Sequence, residues 1–65
     1  MNRYLVQITD YHGEYIDADY FREDINGYIC FYVRTFEKDM PSVPITKCIA
    51  KYNLEKIYGW REMNR

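Results

Sequence analysis

Two carboxylates stand where they could do chemistry. Asp17 and Asp19 form a D-x-D in a strand-like run, so both side chains point to one side and could share a divalent cation or a proton. Glu23, at the same parity, would put a third acid on that face. The competing reading is a solvated strand face on which Arg34, across a hairpin, neutralises Asp19, and it needs no ligand. His12 is the single histidine and lies in a polar segment with Asp10 and Gly13, a setting that could suit a general base. No Ser, Thr or Cys stands in a nucleophile setting beside it. Three scattered glycines draw no phosphate loop and no dinucleotide fingerprint. An enzyme is therefore not expected, and no cofactor or metal is implied.

Binding is what the composition favours. The 65 residues include eight tyrosines, three phenylalanines and Trp60, more ring surface than so small a core can hide. Phenols resist burial without hydrogen-bond partners, and tyrosine supplies large contact area at low side-chain entropy cost. Some of these rings must face outward.

The element that positions them is the stretch from Asp17 to Phe36, two alternating runs joined by Asn26-Gly27. Asn-Gly between such runs is the strongest short-range hairpin signal, because a two-residue type I′ turn needs positive φ at both central residues. That turn would set Ile25 opposite Tyr28. Glu23 then faces Cys30, Phe21 faces Tyr32, Asp19 faces Arg34 and Asp17 faces Phe36, all on one outer face. Ile16, Ala18 and Tyr20 fall on the inner face with Ile29, Phe31, Val33 and Thr35. On this register the expected binding set is Phe21, Tyr28, Tyr32 and Phe36 with Asp17, Asp19, Glu23 and Arg34.

The remaining elements follow from periodicity. Arg3 to Thr9 alternates as a first strand, expected to pair antiparallel with the strand resuming at Tyr15 after a loop in which Gly13 can take positive φ. Residues 37–44 contain Pro41 and Pro44, which lack the N–H a ladder needs, and read as an exposed connector that could also serve as a contact loop. Residues 45–60 read as two strands broken near Asn53, the second running through Leu54, Lys56, Tyr58 and Trp60. A helix at about 46–58 is the alternative, because Ala50, Leu54, Ile57, Tyr58 and Arg61 fall at helical spacings. The fold class expected is all-β, a small antiparallel sheet or partly open barrel of four to five strands, in one domain spanning 1–65.

Size and charge narrow the partners. A domain of this length buries only about 60% of its unfolded surface, so burial in a homo-oligomer or partner interface is an economical source of stability. Cys30 and Cys48 have neither CxxC nor zinc spacing and read as free thiols of a cytoplasmic protein. No apolar run approaches the ~20 residues that cross a bilayer, and no apolar leader opens the chain. The net charge of −1 hides an asymmetry. Asp10, Glu14, Asp17, Asp19, Glu23 and Asp24 face only Arg22 within residues 10–24, whereas Lys47, Lys51, Lys56, Arg61 and Arg65 dominate the C-terminal third. Aromatics surrounded by Asp17, Asp19 and Glu23 argue against direct nucleic-acid binding, since stacking platforms want basic residues around them. The same acidic strip suggests the inverse, mimicry of a nucleic acid.

The runs Ala18-Asp-Tyr-Phe21, Asn26-Gly-Tyr-Ile-Cys-Phe-Tyr32, Ile49-Ala-Lys-Tyr-Asn-Leu54 and Ile57-Tyr-Gly-Trp60 resemble small β-rich accessory proteins of tailed phages and mobile elements of Gram-positive bacteria. That resemblance implies a host-cytoplasmic inhibitor that binds and occludes a host or bacterial defence protein. Two further readings stand beside it. One is an oligomer that sequesters a small nucleotide signal, with a tyrosine or Trp60 on the base and Lys47, Lys51 or Arg61 on phosphate. The other is a structural or assembly component.

Overall fold

A computed structural model describes residues 1–63. The chain is all-β, with six strands in two antiparallel three-stranded sheets that do not close into a barrel. The strands are β1 (Asn2–Gln7), β2 (Gly13–Ala18), β3 (Tyr20–Glu23), β4 (Tyr28–Phe36), β5 (Pro44–Asn53) and β6 (Gly59–Glu62). One sheet has the order β2-β1-β6 and the other β3-β4-β5.

Strand β1 is the centre of the first sheet because its alternation sends Tyr4 and Val6 inward, where both are fully buried. It pairs with β2 from Asn2↔Ala18 to Gln7↔Gly13 and with β6 through Leu5↔Arg61 and Val6↔Trp60. Gly13 serves this pairing through space rather than through positive φ. A Cβ there would lie 3.0 Å from Leu5 Cδ1 and 3.1 Å from Gln7 Oε1.

The run expected as one strand from Tyr15 into the hairpin breaks at Asp19, where the chain passes from the first sheet to the second. Ala18, fully buried, turns the corner without needing side-chain space. The Asp19 N–H donates to the Tyr32 carbonyl at 2.8 Å, and its carboxylate accepts from the Arg34 N–H at 2.7 Å. Both sheets are thereby tied at a single residue.

The hairpin exists, but its loop has three residues, Ile25-Asn26-Gly27, rather than two. The Asp24 N–H donates to the Tyr28 carbonyl at 2.9 Å, closing the ladder one position earlier than expected. The Asp24 carboxylate accepts from the N–H groups of Asn26 (2.9 Å) and Tyr28 (3.1 Å), the local bonding that aspartate offers a turn. Gly27 takes positive φ, at 86°. The register is therefore Tyr20↔Tyr32, Phe21↔Phe31, Arg22↔Cys30 and Glu23↔Ile29. A slip of one residue moves side chains to the other face, and it does so here for β3.

After Phe36 the connector is a turn, with the Val43 N–H donating to the Met40 carbonyl at 3.1 Å, as the two prolines require. Pro44 opens β5 opposite Phe36, on an edge strand where its missing N–H costs nothing. Residues 44–53 are strand, so the helix reading of 46–58 fails. Pairing with β4 along the whole of β5 outweighs the helical spacing of a few apolar positions. The strand expected from Leu54 begins only at Gly59, because Leu54–Lys56 form one 3₁₀ turn capped by the Asn53 side chain. The ladder also holds a bulge at Phe31/Tyr32, where Ile49 is the extra residue on β5.

The core lies between the sheets. Tyr4, Val6, Ala18, Ile29 and Phe31 form its buried centre, with Ile16, Ala50, Tyr52, Leu54, Ile57 and Trp60 packed around them. Rings dominate it. Tyr4 meets Phe31 at 5.0 Å between centroids, and Trp60 meets Phe21 at 4.5 Å. Such pairs contribute about 0.5–1.5 kcal/mol each beyond the area they bury. Among the described residues no helix is long and apolar enough to cross a membrane.

Candidate binding face

Register decides which rings reach the outside. On β4, Ile29 and Phe31 are fully buried, so the alternate residues Tyr28, Cys30, Tyr32, Arg34 and Phe36 point away from the core. Across the ladder, Tyr20 and Arg22 of β3 and Thr46, Cys48, Lys51 and Asn53 of β5 share that outer side. Tyr20 stacks on Tyr32 with centroids 5.1 Å apart and planes 18° apart. The Arg34 guanidinium lies 5.1 Å over the Tyr20 ring, and the Lys51 ammonium 4.8 Å over Tyr28. Cys30 is buried beneath this layer, whereas Cys48 is exposed. A hydrogen bond with Cys30, with burial adding to it, raises the Tyr32 phenol above its ordinary pKa.

Four of the residues expected on this face are there: Tyr28, Tyr32, Phe36 and Arg34. Phe21 is not. It stands opposite Phe31 and turns inward onto Trp60 and Tyr4. Tyr20, expected in the core, takes its place outside. Glu23, opposite Ile29, leaves the face with Phe21. Asp17 lies on the first sheet, where its carboxylate accepts from Arg3 Nε at 2.8 Å and Nη2 at 3.1 Å. That bonding holds the Asp17 carboxyl below, and the Arg3 guanidinium above, their ordinary values. Asp19 is spent on the Arg34 N–H at the corner, and no Asp19–guanidinium pair forms of the kind the expected register implied. The three acids therefore form no strip. Sequence reasoning missed Tyr20 and Arg22, and named Lys51 only as a phosphate ligand in the nucleotide reading; Asp24, two residues before Asn26 and able to bond the Asn26 and Tyr28 N–H groups, was the available signal.

A second polar cluster joins the sheets at their other end. The Tyr52 hydroxyl of β5 donates to Glu14 Oε1 of β2, and His12 Nε2 lies 3.4 Å from Glu14 Oε2. The Tyr52 bond and then His12 lower the Glu14 pKa, while burial and Glu14 push the Tyr52 phenol up to about 12. His12 thus sits against Glu14 rather than Asp10, and the cluster works as a tether between layers. Among the described residues no three His, Cys, Asp or Glu side chains are placed to hold a metal.

On the first sheet's outer side, Leu5, Gln7, Gly59, Trp60 and Arg61 line an open cavity of about 170 Å³. The Trp60 ring itself is engaged by Tyr4, Phe21 and Phe31.

No family model matches this chain, and neither a curated protein nor a solved structure does.

Proposed function

We propose that the chain is a non-catalytic binding protein of the phage accessory type, which inhibits a host or bacterial defence component by covering it. The observation that carries this reading is the outer face of the second sheet, where half-buried tyrosines and exposed cations are interleaved. Tyrosine and arginine are the residues that concentrate binding energy at interfaces. Dispersal of Asp17, Asp19 and Glu23 over separate surfaces removes the support for acidic nucleic-acid mimicry.

Self-association belongs to the same reading. Beyond Tyr32, β4 pairs only with β5, and this arm carries the exposed side chains of Phe36, Met40, Val43 and Ile49. A second copy covering them would add burial that a small core lacks.

The test is capture of partners from host lysate by the tagged protein, with its native mass measured alongside. One enriched component, lost on Tyr20→Ala with Tyr32→Ala while the fold persists, is the expected outcome. Equal recovery by the variant would overturn the assignment of the face.

A second reading, sequestration of a small nucleotide, draws on the cavity beside Arg61. Its walls place a cation and the Gln7 amide next to apolar Leu5, and its volume suits a single heterocycle. Thermal shift against a nucleotide panel tests it, because a ligand at 100 times its Kd adds about 2.7 kcal/mol. No shift with any nucleotide would remove this reading.

A further inference from the structure

We infer that the occupant of the Tyr20–Tyr32 face is single-stranded nucleic acid; this rests on the proposal that the face is the binding surface. The expected register put Asp17, Asp19 and Glu23 around the rings, which argued against such a ligand. The observed fold takes Asp17 and Glu23 off this face. Arg22, Arg34 and Lys51 are the cations that the three strands turn outward here, and the acids at the two ends of the face, Asp24 opposite Tyr28 and Asp19 beside Arg34, both accept from backbone N–H groups. None of the three makes an ion pair among the described residues. In a chain of net charge −1, three outward cations against two carboxylates engaged by the backbone make this face a local inversion of sign.

The rings supply what the cations cannot. Tyr20, Tyr28 and Tyr32 lie on the same side as the cations, and Arg34 and Lys51 each sit about one ring-width from a tyrosine, at 5.1 and 4.8 Å. A phosphate that draws either cation off its ring uncovers a π-face on which the base can stack. Single strands are held in this way, by an electrostatic track with aromatic steps that tolerate any base. A duplex hides its bases in the stack and offers only phosphates. The outward side chains from Tyr28 to Phe36 span eight residue steps, about 26 Å at ~3.3 Å each, room for several nucleotides. A protein with an acidic surface would use the cations but has no call for three half-buried rings in line with them.

The experiment is fluorescence anisotropy of the full chain with a labelled twelve-nucleotide oligothymidine and with a duplex of equal length, between 50 and 200 mM salt. Three phosphate contacts predict a salt slope near −2.1 for a single strand, so this change should weaken binding roughly 20-fold. Arg22→Glu with Lys51→Glu should reduce that slope, and Tyr20→Leu should weaken binding by roughly 5- to 150-fold, the worth of one stacked base. Amide shifts of the unaltered protein titrated with the same oligonucleotide should map to β3 and the first half of β4, so the result does not depend on variants folding. Duplex binding as tight as single-strand binding, no binding at 50 mM salt, or shifts confined to another surface would each overturn the inference. If instead a protein captured from lysate is lost in the same variants while oligonucleotide binding is absent, the ligand class is wrong and the binding face stands. Loss of neither would sink both.

Discussion

Tyr20 and Tyr32 face each other across β3 and β4 on the outer side of the second sheet, with ring planes 18° apart. Their meeting depends on the hairpin loop having three residues. With two, Tyr20 would lie in the core and Phe21 outside. The proposed binding face is therefore a product of the turn, and what fixes that turn can be tested.

Gly27 holds φ of 86°, which costs an L-residue roughly 1–2 kcal/mol. Gly27→Ala should destabilise the fold by about that amount in urea unfolding, and Gly27→Asn by less. Asp24→Ala removes the acceptor for two turn N–H groups and should cost about 1 kcal/mol.

Asp19 ties the two sheets through the Arg34 N–H at 2.7 Å. A bond to an ionised acceptor is worth about 1.5–3 kcal/mol, and this site is exposed, so Asp19→Ala should fall at the lower end. Asp19→Asn, which keeps an acceptor oxygen, should recover part of the loss. Equal stability of all three proteins would rule out a structural role for the corner.

Phe21 and Phe36 differ in kind although both are exposed in part. Phe21→Ala removes a ring packed on Trp60 and Tyr4 and should cost about 2–3 kcal/mol, less than the 3–5 typical of a fully buried ring. Phe36, 60% exposed, should change stability by under about 0.5 kcal/mol when replaced by Ala. A lower native mass for Phe36→Ser would identify the arm as a self-association surface.

The Tyr52–Glu14 tether predicts two pH limbs. The phenol's pKa is raised to about 12, so its contribution is complete below pH 10 and disappears as pH climbs from 10 through 12. After allowance for solvent screening that limb is worth about 1 kcal/mol. Glu14 is shifted downward, so its contribution is present above the ordinary carboxylate range and is lost as pH falls through its lowered value. Tyr52→Phe should flatten the alkaline limb and shrink the acid one in denaturation profiles from pH 3 to 12. Superimposable profiles would show that the tether does not contribute.

Cys48 is exposed and Cys30 buried at 7% relative exposure. A thiol reagent should modify one cysteine rapidly and the second only as fast as the second sheet opens. Two equally fast thiols would contradict the layering of the outer face.

The amino-acid sequence determined the class of this fold by itself. Alternation in Asn2–Gln7 and Tyr28–Phe36, prolines at 41 and 44, and the glycine after Asn26 fixed strands, connector and hairpin, because these are local preferences of φ, hydrogen-bond donors and side-chain period. Residues 45–60 were only half legible. Their apolar spacing suits strand or helix, and the choice was made by pairing with β4, a partner that no local pattern contains. Tertiary structure alone decided the faces. Asp24 competes with Asn26-Gly27 for the turn, and its two hydrogen bonds move the register by one residue. Asp19 sends β2 and β3 to different sheets, which parts Asp17 from the rings and leaves Arg22, Arg34 and Lys51 beside them. Side-chain parity is a property of paired strands, and pairing is long-range, so the candidate site became readable only once the strands had met.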